Sequence, residues 1–221
     1  MTSLLHLDAS ARPEALSRRV GAALVDALRA RDPGVDYTYR DLAADPVPHV
    51  TQAWTEICEN LMRDQITDLS LLHLGARTAS QKQAWRTVEP LLRELIDADL
   101  IVITTPMYNY SVPSSLKAWI DQVTFPRMNL AERRFAVVAA RGGSYADGSP
   151  KAPYEHQVRY LTDVIVGHFG VAEPEVIVVE LANARVDPLL AHRLDDHVAS
   201  LEAALVAARR LGARLASGGL R

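Results

Sequence analysis

The stretch Leu100-Ile101-Val102-Ile103-Thr104-Thr105-Pro106-Met107-Tyr108-Asn109-Tyr110, continued by Ser111-Val112-Pro113-Ser114-Ser115-Leu116-Lys117-Ala118-Trp119-Ile120-Asp121, decides the fold. Its opening run is apolar or β-branched without alternation, the mark of a strand buried on both faces. From Pro113 the pattern turns helical, and a proline at a helix start loses no hydrogen bond. The segment between them is a loop at the carboxyl end of a strand. In open α/β sheets that edge is where ligands bind. Met107, the tyrosine rings and the Asn109 amide suit a flat heteroaromatic ligand.

Outward from this stretch, strands and helices alternate. Strands are expected at Ser3–Leu7, Val35–Arg40, Leu100–Thr105, Phe135–Ala140 and Pro174–Val179. Helical patterns begin near Ser17 and cover Thr51–Gly75, Ser80–Asp97, Pro113–Val123, Pro153–Phe169 and Asp187–Ala216. Asp8–Leu16, Asp41–Val50 and the Gly-rich Arg141–Ala152 read as loops, and the tail Ser217-Gly218-Gly219 as frayed. Five such alternations predict an α/β three-layer sandwich. Its sheet is parallel, five-stranded, of flavodoxin-like order 2-1-3-4-5, with helices on both faces. No linker divides the chain, so residues 1–221 are read as one domain.

Composition narrows the function. Lys+Arg 24 against Asp+Glu 27 gives a net charge of −3, without the basic footprint of a nucleic-acid binder. The single cysteine, Cys58, forbids an intrachain disulfide and suits a reducing compartment. The first residues turn polar too soon for a signal peptide, and no apolar run is long enough to span a membrane. A cytoplasmic location is therefore expected.

Three loops carry the candidate chemistry, each at the carboxyl end of a strand. The first, Asp8 to Arg18, has no glycine and so no phosphate-binding glycine motif. It offers instead Ser10 and Ser17 beside a helix N-terminus, a phosphate seat to which Arg12 and Arg18 add charge. As an ordinary alternative, Ser17 caps the helix. The second is Pro106-Met107-Tyr108-Asn109-Tyr110, with Asn109 for a polar ring edge. The third is Ala140-Arg141-Gly142-Gly143, where two glycines permit unusual φ angles and a close backbone approach. Together they supply a phosphate end, a ring edge and backbone donors. That set fits a mononucleotide with a carbonyl-bearing ring, for which FMN is the candidate.

These residues resemble the FMN-dependent NADH-azoreductase and NAD(P)H quinone oxidoreductase family, which has a flavodoxin-like fold. The likeness covers most of the chain and is most specific at Pro106–Tyr110 with Leu116-Lys117. It extends to Asp41–Pro48, Arg141-Gly142-Gly143 with Asp147-Gly148, and Phe169-Gly170-Val171. The resemblance implies tightly bound FMN, with its phosphate at Ser10 and at Ala15, Leu16 and Ser17. It implies an isoalloxazine against Met107–Tyr110 and Ala140–Gly143, and NADH or NADPH as co-substrate. It also implies a homodimer and ping-pong, two-electron reduction of quinone, azo or nitroaromatic compounds. Members often carry a second hydroxyl where Ala15 stands, and a His near the ring where this chain has Tyr145. Tyr145 and Phe125 are expected in the substrate pocket, Phe125 from a segment between Asp121 and Phe135 that is shorter than usual. No protein side chain is assigned as acid or base, since the flavin carries the chemistry. The alternatives are an FMN reductase or nitroreductase on the same fold, and a flavodoxin-type electron carrier.

Other patterns have ordinary readings. Ser114-Ser115-Leu116-Lys117 matches S-x-x-K, but the partner motifs are absent. His192, Asp195, Asp196 and His197 read as a solvated helix face rather than a metal site. No metal is expected.

Overall fold

The structure, a computed structural model, describes residues 2–217; Gly218 and Gly219 of the expected tail lie outside them. Five parallel strands form one sheet in the order β2-β1-β3-β4-β5. They are β1 (Ser3–Asp8), β2 (Asp36–Asp41), β3 (Leu100–Pro106), β4 (Arg134–Ala140) and β5 (Glu175–Val179). The helices are α1 (Leu16–Arg31), α2 (Gln52–Arg63), α3 (Ala79–Asp97), α4 (Ser114–Val123), α5 (Gln157–Gly167) and α6 (Leu194–Ser217). The fold is flavodoxin-like: the alternation predicts the parallel sheet, and its order is the one expected for a five-stranded sheet of that type.

The central strands are mostly apolar because each face meets helices. Leu5, Leu7, Ile101, Ile103, Phe135 and Val137 point to the layer of α2, α3, α4 and α5. Leu4, Leu100, Val102, Ala136 and Val138 point to the layer of α1 and α6. Residues one apart in a strand thus serve opposite cores. The helices α1 and α6 cross closely at Gly212, where a Cβ would collide with the Leu24 carbonyl oxygen.

Three helical expectations are shortened. Thr51–Gly75 divides into α2 and a 3₁₀ segment, Leu69–Gly75, after Gln65 takes φ +56°. Pro153–Phe169 begins later, at Gln157, because the Glu155 carboxylate accepts the N–H groups of Gln157, Val158 and Arg159. That side chain satisfies the first turn and fixes where the helix starts. Asp187–Ala216 opens as a 3₁₀ segment, Pro188–Arg193, before α6.

The strands β1, β3 and β4 end side by side. Met107 N–H donates to the Ala140 carbonyl at 2.7 Å, and Ala9 N–H to the Thr104 carbonyl at 3.0 Å. These bonds carry the ladder one step beyond the strands and hold the three loops in register.

Candidate functional site

The loops after β1, β3 and β4 meet in one cleft of about 560 Å³. Ser10, Ala15, Leu16, Ser17, Pro106, Met107, Tyr108, Ala140, Arg141 and Gly142 line it together. A cleft of this size and mixed lining is usual for a small organic ligand.

At one end stands the N-terminus of α1. Its N-cap is Ala15, extended at φ −69° and ψ 144° and without a side-chain cap. Ser17 therefore lies inside the first turn and does not cap the helix. It is fully buried, and its Oγ has no hydrogen-bond partner. The first-turn N–H groups are left open as well, and the helix dipole adds positive potential. Ser10 is equally buried; its Oγ accepts from Arg12 N–H at 3.2 Å and keeps its own hydrogen to donate. An unpartnered buried hydroxyl beside open N–H groups is what a phosphate oxygen satisfies. The fit to a phosphate is good.

Arg18 does not add free charge there. Its guanidinium sits 3.1 Å from the Asp8 carboxylate and 2.8 Å from that of Asp41. It also donates to the Ser10 carbonyl oxygen at 2.7 Å. Arg18 is thus neutralised and works as a brace under the loop. Around it, the Tyr39 hydroxyl and the Thr104 hydroxyl donate to Asp8. Burial raises the Asp8 carboxyl above its usual value, while Tyr39 and Arg18 pull it down. Arg18, as hydrogen-bond donor, holds Asp41 low. Burial, then Asp8, raises the Tyr39 phenol to about 12. Burial and then the Arg18 charge lower His6, beneath this group, to about 4.

The second loop is a tight turn. Tyr108 and Ser111 exchange backbone hydrogen bonds at 2.9 and 3.0 Å, and Asn109 and Tyr110 take φ +49° and +70°. Two positive φ values in succession make it a type I′ turn, which suits Asn and strains Tyr. Tyr110 is held by His156 N–H, which donates to its carbonyl at 3.2 Å, and by the Tyr154 ring 5.3 Å away. Asn109 and Tyr110 stand outside the main cleft. Asn109 faces a neighbouring groove with Ser111, Lys117 and Tyr160.

The third loop is fixed by Arg141. This buried arginine is paired with Glu155 at 3.0 Å and Glu180 at 3.3 Å. Its charge, like that of Arg18, is spent inside the fold. Gly142 and Gly143 accept at their carbonyl oxygens from Asn183 and Leu181 N–H. Their own N–H groups find no acceptor among the described residues and remain available to a ligand. Neither glycine has a positive φ, so the expected unusual backbone is absent. At Gly142 a Cβ would lie 2.6 Å from Asn183 Nδ2, so a larger residue there would displace the Asn183 side chain.

The two pocket expectations divide. Tyr145 is half-buried beside the site, 6.3 Å from the Tyr110 ring, and its N–H donates to Glu180 at 2.8 Å. Phe125 is a correction. It is 1% exposed and packed between Trp54 at 5.5 Å and Trp85 at 6.0 Å. The two tryptophans draw it into the core, and it is not among the residues that line the cleft.

Sequence reasoning missed the fourth wall. Ala182, Asn183, Arg185 and Val186 line the cleft from a 3₁₀ turn, Ala182–Arg185, that follows β5. Their position after a strand was the available signal, since the same sheet edge carries the other loops.

Elsewhere, a cleft of about 500 Å³ lies at the amino edge of β1 and β2. It gathers four carboxylates, Asp36, Glu89, Glu94 and Asp97, against one cation, Arg93, and receives none of the loops. Among the described residues no His, Cys, Asp or Glu cluster can hold a metal ion. His197 is buried, its Nδ1 2.9 Å from the Glu180 carbonyl oxygen, and so departs from the solvated face expected for it. Burial raises the Cys58 thiol to about 12. No helix among the described residues is long and apolar enough to cross a membrane.

Known proteins share this architecture. A flavodoxin-like family model matches residues 2–205. A protein of Nocardia farcinica named FMN-dependent NADH:quinone oxidoreductase is 58% identical over 212 residues, which is 96% of this chain and 98% of that one. A protein of the same name from Parafrankia is 36% identical, covering 95% and 98%. Among solved structures, an azoreductase of Bacillus anthracis superposes with a TM-score of 0.79 at 22% identity, over 97% of this chain and all of that one. At that identity the superposition speaks for the fold alone. With a model matched over nearly its whole length and relatives of this similarity, the chain belongs to the flavodoxin-like family that contains the FMN-dependent NADH:quinone oxidoreductases.

Proposed function

We propose that this protein is an FMN-dependent NAD(P)H:quinone oxidoreductase that also reduces azo compounds. The observation that carries the reading is the unpartnered, fully buried Ser17 Oγ at an uncapped helix N-terminus, in a cleft shared by all three loops. The names of the Nocardia and Parafrankia relatives support it. When bound, FMN supplies two-electron redox chemistry between a nicotinamide and a quinone or azo acceptor.

The chain's own residues bind and orient. Ser10 and Ser17 donate their hydroxyl hydrogens to the phosphate, with the α1 N–H groups of Leu16 and Ser17 beside them. Pro106, Met107 and Tyr108 give the ring an apolar wall, and the Asn109–Tyr110 turn shapes its rim. Ala140 and Arg141 form the opposite backbone wall. The Gly142 and Gly143 N–H groups would hold a ring carbonyl, as fixed donors that need no reorganisation. No side chain needs to move a proton, and the two substrates use the same space in turn. Tyr145, beside that space, stacks on the acceptor.

We place the protein in the cytoplasm, as a single-domain homodimer. The exposed rings of Tyr108, Tyr110 and Tyr154 beside the cleft give a second copy an apolar surface to cover. Sedimentation at micromolar concentration checks the dimer, and a monomer overturns it. The function is tested by the visible spectrum with added FMN, recorded anaerobically before and after NADH and then after a benzoquinone. Bleaching by NADH and recovery with quinone are expected. Bound flavin that neither NADH nor NADPH bleaches would make the protein a carrier. No flavin binding would remove the reading.

A further inference from the structure

Two kinds of arginine surround the cleft. Arg18 and Arg141 are buried, and each stands between two carboxylates. Arg12 and Arg185 line the cleft itself, are exposed, and have no side-chain partner among the described residues. One opposing charge lines the cleft, the exposed and equally unpaired Glu14. The nearby Asp187 carboxylate is engaged, accepting from Leu189 N–H at 2.9 Å.

Arg185 stands on a fixed support. Leu181 N–H donates to Gly143 O at 3.1 Å, Ala182 N–H to Arg141 O at 3.0 Å, and Asn183 N–H to Gly142 O at 3.0 Å. These three bonds tie the 3₁₀ turn to the third loop, and Ala184 is buried beneath it. The chain then runs into α6, which packs along α1 in the same core layer. The turn therefore stands between the third loop and α6, and Arg185 lines the same cleft as the unpartnered Ser17. The Tyr110, Tyr145 and Tyr154 rings cluster at the second and third loops instead.

We propose that Arg185 is an anchor for the terminal phosphate of the flavin, reaching across the cleft from the turn after β5. This assignment rests on the FMN reading above. A phosphate monoester carries about −1.5 to −2 charges at pH 7. Ser10, Ser17 and the helix N-terminus give it donors but only partial charge, and Ala15 gives it no side-chain donor. Arg18 is neutralised. Of the two unpaired cations that line the cleft, Arg12 shares its loop with the unpaired Glu14, whereas Arg185 stands on the turn that three backbone bonds fix to the third loop. Its planar fork suits two phosphate oxygens.

The test compares FMN with riboflavin, which has the same ring and ribityl chain but no phosphate. Full-length protein stripped of flavin is titrated with each by fluorescence, as wild type, Arg185→Gln, Arg185→Lys and Glu14→Gln. Arg185→Gln is expected to raise the FMN Kd about tenfold, the usual worth of a charge-assisted bond, and to leave riboflavin unchanged. Arg185→Lys should fall between, and Glu14→Gln should tighten FMN alone. Equal losses for FMN and riboflavin would overturn the assignment, because Arg185 would then be shaping the ring site. An unchanged FMN Kd with a raised KM for NADPH would overturn it too, by giving Arg185 to the coenzyme's phosphate. Wild-type protein that binds neither compound overturns the flavin reading itself and the anchor with it.

Discussion

The Asn183 side chain occupies the space that a side chain at residue 142 would need. A Cβ on Gly142 would lie 2.6 Å from Asn183 Nδ2, and Asn183 N–H donates to the Gly142 carbonyl at 3.0 Å. Gly142→Ala should therefore push the Asn183 amide into the cleft. Because that amide is exposed and can rotate, stability should fall by only about 1 kcal/mol. FMN affinity should fall several-fold. Adding Asn183→Ala should restore binding, and a double variant as poor as the single would show that the clash is not the cause.

Ser17→Ala separates binding from folding. The Ser17 hydroxyl is buried without a partner, so its removal should leave the flavin-free protein unchanged or more stable by about 1 kcal/mol. FMN affinity should fall about tenfold, as expected for a lost bond to a charged group. Thermal melts of the flavin-free form and fluorescence titration read the two effects. A lowered melting temperature without weaker binding would make Ser17 a structural residue only.

Arg18→Leu should damage the fold first. It leaves Asp8 and Asp41 without their cation, and the Asp8 side chain is only 6% exposed. Losing one member of a buried pair costs about 3 kcal/mol, read as a lower urea midpoint. Asp8→Asn in the same chain should recover part of it. No recovery would place the cost in the freed Ser10 carbonyl.

Stability should drop on acidification between pH 6.5 and about 4. His6 is held neutral in the fold down to about 4, by burial and then by the Arg18 charge, whereas the unfolded side chain takes a proton near 6.5. The unfolded state therefore binds the extra proton in that window, and stability is lost as pH falls through it. The loss reaches on the order of 3 kcal/mol. Asp8, whose carboxyl is raised, acts in the opposite sense at the lower end of the window. Its other neighbour, the Tyr37 hydroxyl 3.0 Å from Nδ1, stays neutral throughout. His6→Gln should flatten the profile, and an unchanged slope would rule out His6 as its source.

Phe125→Ala should cost about 3 kcal/mol by opening a cavity between Trp54 and Trp85. The benzoquinone KM should stay the same. A raised KM with intact stability would return Phe125 to the substrate pocket.

What was legible in the chain was what is local. The run Leu100–Thr104 declares a strand buried on both sides, and Pro106–Tyr110 lies at its end with no need of tertiary information. Ser10 and Ser17 follow from the same edge rule. Phe125 was misjudged because its place depends on Trp54 and Trp85, distant in sequence and brought together only by packing. The late start of α5 depends on a carboxylate, Glu155, outside the helix. Arg141 reads as a loop cation, and only the folded chain brings Glu155 and Glu180 to it. The turn Ala182–Arg185 is too short to carry a periodicity, so its four-residue span gave no pattern to read.

The tight crossing at Gly212 sets an order of events during synthesis. The apolar side of α1, with Leu24 and Leu28, is covered by α6, which the ribosome makes last among the described elements. Until then the first helix has no lid on that side, and the anion seat at its N-terminus has no fixed aim. A nascent chain halted before α6 should be cut readily by protease within α1 and should fail to retain FMN. Retention of the cofactor is therefore expected to depend on α6, although no residue of that helix lines the cleft.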